Sequence, residues 1–488
     1  MVTTIIDCYT DEPAGLGVPP YLGTYPRYIY GKTEDKCFYL TIDDIRLYMR
    51  YNLTIPKTKT HEKTRIGIYN LTKNYLHVKD ILNKTNHLIV ILGVHVPGKY
   101  LSAIPGTLKE LTPVVKNMNC KKTLTGPAAT QYGTQLYGGG FKERTDITYF
   151  DEIKPSMVSD YEEISNVALK GAGIVSQIPD LRIAEIETGR GCSRSPGCGY
   201  CTEPLKNVLE FRKKDDILKE IRRLYEEGIR HFRLGKQSCF YTYGTSEDIK
   251  ALLKPISKMK PEMLHIDNAN PQMVTEEKTK AIAEYCTPGN IAAFGVESFD
   301  PEVQKKNNLN CDNQMVYKAI KIINRIGGQR SKQGMHYFLP GINLLYGLDG
   351  ESKRTNDYNY ENLKRFLEED LLIRRINIRK VTPLEGTKLY EEAGNKFLKK
   401  NKKFYWKWRN CIRQKIDYPM LQKLSPEDTI MKNVRAEVYD GKTTFCRQIG
   451  SYPLIVGVKK RLELGRFYDI KVTGHMLRSI IGEEINST

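Results

Sequence analysis

Three thiols fall within ten residues in the stretch Glu187-Thr-Gly-Arg-Gly-Cys192-Ser-Arg-Ser-Pro-Gly-Cys198-Gly-Tyr-Cys201. Thiolates are soft ligands, so the cluster points first to a metal, and the number three narrows which. A closed structural zinc site takes four Cys or His ligands, and the nearest fourth candidates, His231 and Cys239, lie well downstream. An iron–sulfur cluster of four irons held by three thiolates keeps one iron open for a substrate or cofactor. That is the favoured reading. Zinc with a distant fourth ligand, or unliganded thiols, is the alternative. The glycines of the loop are expected to let backbone N–H groups approach the sulfurs and tune them.

Such a loop needs a frame, and the sequence around it supplies one. From about 180 to 395 the chain alternates strand and helix patterns, with strands expected at 181–186, 231–235, 263–267, 291–296, 335–339 and 376–381 and helices such as 278–285 and 314–323 between them. Ile217, Leu218, Ile221, Leu224 and Tyr225 share one face of a helix that Gly228 should end. This is the pattern of a β/α barrel, partial or full. Functional groups in such barrels gather at the carboxyl ends of the strands. That rule selects Gly235, Lys236, Gln237, Asn268, Glu297, Ser298 and Pro340 as mouth residues.

The thiol trio and these strand ends together resemble the radical SAM superfamily. The resemblance implies that Cys192, Cys198 and Cys201 hold a [4Fe–4S] cluster whose open iron chelates the amino and carboxylate groups of S-adenosyl-L-methionine (SAM). The spacing Cys198-Gly-Tyr-Cys201 fits the superfamily, whereas five residues between Cys192 and Cys198 replace its usual three. It also implies that Tyr200 lies beside the adenine, that Gly235 and Gln237 stand where the methionine amino group is received, and that Glu297 and Ser298 face the nucleoside or methionine part. The stretches Phe294–Val303, Asn307-Asn308-Leu309, Gly347–Glu351 and Pro383–Thr387 resemble the tRNA-modifying and cobalamin-linked branches. An electron donor would reduce the cluster, and cleavage of SAM would give a 5′-deoxyadenosyl radical that abstracts hydrogen. That chemistry belongs to the cofactors. The barrel must place the substrate at the same mouth.

The flanks qualify this reading. Residues 1–150 suggest an N-terminal α/β domain, Rossmann-like and similar to cobalamin-binding domains, with a Pro- and Gly-rich loop at 11–20 and Gly138-Gly139-Gly140 near its end. His95 and Gly98 keep part of a cobalamin-ligand motif, but a lone His is more often structural. Residues 396–430 suggest a helical linker, and 431–488 a small TRAM- or OB-like RNA-binding β-barrel, with a type I′ hairpin at Asp440-Gly441. Methylthiotransferases carry a second cluster on three N-terminal cysteines; here only Cys8, Cys37 and Cys120 are available, without that pattern around them.

Lys and Arg outnumber Asp and Glu by 76 to 57 in this 488-residue chain, a net charge of +19. The excess lies in short runs, including Lys399, Lys400, Lys402 and Lys403 next to Phe404, Tyr405, Trp406 and Trp408. A polyanion such as nucleic acid is the expected partner, against a merely solvated lysine-rich surface. The aromatics serve either for stacking on unpaired bases or as a helix core. No apolar run approaches the roughly 18 residues of a membrane span, and the opening segment lacks the regions of a secretion signal. A cytoplasmic protein with no membrane partner is expected, its eleven cysteines reduced.

As a whole the chain resembles an archaeal group of radical SAM proteins, the radical subunits of archaeosine synthase. That resemblance implies a tRNA-modifying lyase. A lysine-transferring archaeosine synthase subunit would add lysine to a 7-deazaguanine in tRNA, and this chain would cleave the C–N bond of the adduct. Asp267, Asn268 and Arg379 are candidates for holding the amino acid end. The enzymatic alternatives are RNA methylthiolation and cobalamin-dependent methylation; the non-enzymatic one is a zinc-containing RNA-binding protein.

Overall fold

The computed structural model describes residues 1–9, 21–55, 70–94, 104–130, 149–158 and 160–485. The loop at 11–20, His95 with Gly98, and Gly138–Gly140 lie outside the described residues. The chain divides into two compact units, one of residues 1–186 and 212–232, the other of 187–211 and 233–488.

The first unit is built on a parallel sheet in the order Lys36–Thr41, Val2–Asp7, His87–Ile91, Lys121–Thr125, Glu152–Lys154. Alternate residues face opposite sides. Ile6, Leu40, Val90 and Leu124 pack with Ile45, Ile81 and Leu111 from helices Ile42–Tyr51, Val78–Lys84 and Leu108–Val115. Ile5, Tyr39, Ile89 and Ile91 pack on the other side with Ile29 of helix Thr24–Lys32 and with Ile174. This is the α/β sandwich that the near-continuous apolar run at 88–92 predicts.

Cys8 follows the carboxyl end of its strand, whereas Cys37 and Cys120 sit at the amino ends of theirs. All these strands are parallel, so Cys8 is separated from the other two by the length of the sheet.

Helix Lys214–Glu226 also belongs to this unit and ends before Gly228, whose φ of 101° is the left-handed conformation expected there. Its Glu220 is wholly buried between two equally buried arginines, Arg27 at 2.8 Å and Arg212 at 2.6 Å.

The second unit carries a parallel sheet in the order Asn268–Ala269, Asn290–Glu297, Phe338–Tyr346, Arg375–Lys380. Met263–Ile266 lies beside the end of His231–Gly235. Side-chain caps start the intervening helices: Thr245 and Asp248 form a capping box on Ser246–Lys258, Thr275 caps Glu276–Tyr285 and Asp312 caps Asn313–Gly327. Each such cap is worth about 1 kcal/mol.

One expected strand is displaced. The sequence places it at 335–339, but it runs Phe338–Tyr346, so Pro340 is its third residue rather than a mouth residue. Pro340 pairs with Ala292 on one side and precedes the ladder to Arg375–Lys380, which starts at Gly341, on the other.

Helices Lys396–Ile412 and Tyr418–Leu424, joined by a π-helical turn Arg413–Asp417, lead to a closed five-stranded barrel. Its strands run in the order Ile430–Asp440, Thr443–Gln448, Ile455–Val458, Ile480–Glu484, Phe467–His475 around Val434, Cys446, Val456, Ile470 and Ile480. Asp440 pairs with Thr443, leaving Gly441 and Lys442 as the turn, and only Gly441 has a positive φ, of 61°. That is the type II′ pattern rather than the expected I′. Among the described residues no helix is long and apolar enough to cross a membrane.

Candidate cluster site at the strand ends

The cysteine loop is closed at its neck. Gly189 and Arg190 pair with Phe211 and Glu210, and the Arg190 guanidinium meets the Glu210 carboxylate at 2.6 Å. Only glycine fits at 191, where φ is 83° and a Cβ would stand 2.6 Å from the Val208 carbonyl oxygen. The Glu203 carboxylate accepts from the Gly191 N–H and from the Asn207 amide, both at 2.9 Å, tying the loop's two ends together.

A second loop clamps the middle of the first. The Gly199 N–H donates to the Asn307 carbonyl at 2.7 Å, and the Asn308 amide donates to the carbonyls of Pro196 and Gly197 at 2.9 and 3.0 Å. Arg194 donates to the Asn308 carbonyl at 2.9 Å, to its side-chain oxygen at 3.1 Å and to the Leu309 carbonyl at 3.3 Å. So held, the same guanidinium donates to Cys198 Sγ at 3.1 Å. Cys201 Sγ accepts from the Glu203 N–H at 3.4 Å. The donors at the sulfurs are thus an arginine and a glutamate N–H rather than the loop's glycines.

Cys192, Cys198 and Cys201 are partly exposed free thiols within electrostatic reach of one another and, for Cys198, of Glu297. Burial pushes the Cys198 thiol up to about 12 and Cys201 up to about 11, so a metal must displace their protons to be held. Among the described residues no three Cys, His, Asp or Glu side chains converge as ligands of a single ion. A four-iron cluster spreads its three thiolates over three metals and does not require such convergence.

Glu297 ends its strand at a register irregularity and has φ 63°, a conformation a glutamate adopts only under constraint. Its carboxyl is buried, and one oxygen has no hydrogen-bond partner. Burial pushes it up to about 7, against the pull of the Tyr200 hydroxyl and the Arg379 charge. Tyr200 itself packs against the buried cluster of Val303, Leu309, Leu348, Val381 and Leu389, and burial and Glu297 raise its hydroxyl well above the usual tyrosine range.

Across the mouth, the Gly235 carbonyl accepts from the Thr188 N–H at 3.1 Å. Gln237, after Lys236 with φ 73°, accepts from the Thr188 hydroxyl at 2.5 Å and leaves its buried NH₂ without a partner. Ser298 is fully buried, and its hydroxyl accepts from the Asp300 N–H at 3.1 Å, which shapes the turn after Glu297. Of the amino acid-binding candidates, Asp267 is paired with buried Arg233, Asn268 is exposed, and Arg379 acts electrostatically on Glu297.

Four further residues belong here: Arg194, Asn308, Asn310 with a buried side-chain oxygen lacking a partner, and Cys311, a buried thiol within electrostatic reach of Cys198 and Glu297.

The arrangement offers three soft donors, an unpartnered acceptor at Glu297 and an unpartnered donor at Gln237. A cluster-bound zwitterion such as an amino acid sulfonium would meet complementary groups there.

Residues 186–345 match the family model described as Radical SAM superfamily. The chain is 40% identical over 532 aligned residues to an uncharacterized protein of Methanocaldococcus jannaschii, covering 99% of this chain and 93% of that one. It is 26% identical to the ribosomal protein uS12 methylthiotransferase RimO of Clostridioides difficile, over 77% of this chain and 85% of that one. Among solved structures, the radical SAM methyltransferase TsrM of Kitasatospora setae, with cobalamin and a [4Fe–4S] cluster bound, is 12% identical; the match covers 80% of this chain and 73% of that one, with a TM-score of 0.49.

Proposed function

From the premise that this chain belongs to the radical SAM superfamily, in one family with the archaeal protein it matches nearly end to end, we propose that it is a tRNA-modifying lyase. In this reading it cleaves the C–N bond of a lysine adduct on a 7-deazaguanine base to form archaeosine, together with a lysine-transferring subunit. Radical SAM enzymes bind a [4Fe–4S] cluster and S-adenosylmethionine, and the residues present fit that pair. Cys192, Cys198 and Cys201 supply the thiolates, while Glu297 and Gln237 keep a buried acceptor and a buried donor unsatisfied for SAM. When bound, the two cofactors supply one-electron initiation of hydrogen abstraction from the substrate. The chain's own residues do the rest: Arg194 would bias one ligand sulfur, Thr188 orients Gln237, and the apolar cluster behind Tyr200 and Cys198 fixes that side of the loop.

The observation that carries the lyase reading over methylthiolation is the count of cluster sites. Methylthiolation needs a second thiol trio, and its only N-terminal candidates are parted by the sheet, Cys8 at one end and Cys37 and Cys120 at the other. The likeness to the uS12 methylthiotransferase keeps methylthiolation as the second reading. The net charge of +19 and the C-terminal barrel support an RNA substrate.

The test uses the reconstituted chain with SAM, a reductant and lysine-adducted tRNA under anaerobic conditions. The reading expects 5′-deoxyadenosine and the formamidine base by mass analysis. An intact cluster that yields neither would count against it, and a second cluster by iron counting would favour methylthiolation.

A further inference from the structure

Helix Lys396–Ile412 carries six lysines and one arginine and no acidic residue. Several of these cations lie at i, i+4 spacing, among them Lys396 with Lys400, Lys399 with Lys403, and Lys403 with Lys407, a placement that destabilises a helix through repulsion. Among the described residues none of the seven forms an ion pair. The helix is anchored instead by its other face, where Phe397, Tyr405, Trp408 and Ile412 are buried and Trp408 stacks on Tyr346.

Trp406 is the exception among these aromatics. It is 58% exposed, on the same outward face as Lys399, Lys402, Lys403 and Lys407. Arg409 stands 5.2 Å from its ring centre and Lys380 5.8 Å. Lys380 is the last residue of strand Arg375–Lys380, at the carboxyl end where the cluster loop and Glu297 also lie. Burial, and after it the charges of Arg478 in the turn between the barrel strands Phe467–His475 and Ile480–Glu484, of Arg409 and of Arg375, depress the Arg413 guanidinium to about 9, so cations from three elements gather around Arg413 on the same helical segment.

We propose that Trp406, flanked by Lys380, Arg409 and the exposed lysines of helix Lys396–Ile412, is a stacking platform for an unpaired stretch of RNA leading into the barrel mouth. An exposed indole among cations offers a base a stacking face and its phosphates a charge partner. Positive charge on a rigid helix suits a regularly spaced polyanion. This inference rests on the reading that the substrate is RNA, and it names where that RNA lies.

The test is fluorescence anisotropy of the full chain with a labelled oligouridylate and, separately, a tRNA transcript, across a salt series. Trp406→Ala is expected to weaken oligouridylate binding roughly tenfold, the loss of one stacked base, while Trp406→Phe keeps most of the affinity. Lys402→Ala and Lys403→Ala together are expected to flatten the slope of log affinity on log salt by about 1.4, at about 0.7 per phosphate contact in single strands. Unchanged melting temperatures would show that the losses are not failures of folding.

If the wild-type chain binds RNA and Trp406→Ala binds as tightly, the platform is refuted and the lyase reading is untouched. If the wild-type chain binds no RNA but captures a labelled polyglutamate peptide through Trp406, the partner is an acidic protein and both are overturned. An intact platform with no modified nucleoside formed in the lyase assay would sink that reading alone.

Discussion

The buried Glu297 carboxyl makes a prediction in which stability and binding move in opposite directions. Burial lifts it from an ordinary 4.5 up to about 7. Because the folded-state value lies above the unfolded one, its favourable contribution is complete below about pH 4.5 and is lost as the pH rises toward 7. At about 1.4 kcal/mol per pH unit, the ionised carboxyl costs the native state roughly 3 kcal/mol by pH 8. The left-handed backbone at this position adds strain that a glutamine shares, so Glu297→Gln isolates the ionisation.

Urea denaturation of the cluster-free chain should find E297Q more stable than wild type by about 2–3 kcal/mol at pH 8 and by less than about 1 kcal/mol at pH 5. Calorimetric titration of the reconstituted chain should show SAM binding weakened by about tenfold or more, the worth of a lost charge-assisted hydrogen bond. A residue kept only for packing would not behave this way. A variant less stable than wild type at pH 8, or one that binds SAM with unchanged affinity, would refute the reasoning.

Other perturbations probe the frame and the loop. Glu220→Gln should destabilise the first unit by about 3–5 kcal/mol in denaturant melts, because it leaves Arg27 and Arg212 buried without their shared carboxylate. The two arginines hold the Glu220 carboxyl below its usual range, so wild-type stability should fall with pH through that lowered value and E220Q should lose this acid sensitivity. Arg194→Gln removes a cation from Cys198 Sγ and should lower the midpoint potential of the reconstituted cluster by on the order of 60 mV, if about 1.4 kcal/mol is lost selectively from the reduced state. An EPR-monitored redox titration reads this directly; an unchanged potential with reduced iron content would assign Arg194 to loop folding alone. Gly191→Ala, with φ 83° and its Cβ 2.6 Å from a carbonyl oxygen, should lower iron loading per chain while the far-UV spectrum is retained.

The frame was legible wherever local pattern and tertiary demand agree. His231–Gly235 begins and ends where its apolar run predicts, and the helix before it stops at the glycine that must end it. Phe338–Tyr346 was misplaced because Pro340 reads as a terminator, whereas the structure uses it near the strand's start and continues six residues beyond. Ile480–Glu484 carried no turn signal and three of its five residues are glycine or glutamate; it becomes a strand by pairing with Ile455–Val458 and with the preceding strand Phe467–His475. The aromatics around 404–408 divided in a way no composition could show, Tyr405 and Trp408 inward and Trp406 outward. In the site, the thiols and Glu297 were visible as residue types at loop and strand ends. Arg194 and Asn310 were not, and Asn308 stood out only as part of a family-like stretch, because their roles arise where two loops a hundred residues apart approach each other.

That approach also accounts for the five-residue spacing between Cys192 and Cys198. A longer loop would ordinarily hold its ligands less firmly, since each added residue brings backbone freedom and polar groups that need partners. Here the added length is consumed by the second loop. Asn308 satisfies the carbonyls of Pro196 and Gly197, Asn307 takes the Gly199 N–H, and Arg194 is fixed by three acceptors before it reaches Cys198. The insertion therefore leaves the number of thiolates unchanged and alters the field at one of them, placing a fixed positive charge against a single sulfur. A charged donor at Cys198, against only a backbone N–H at Cys201, would stabilise negative charge at that corner of a bound cluster, so the longer spacing would bear on the cluster's electronic asymmetry rather than on the number of its ligands.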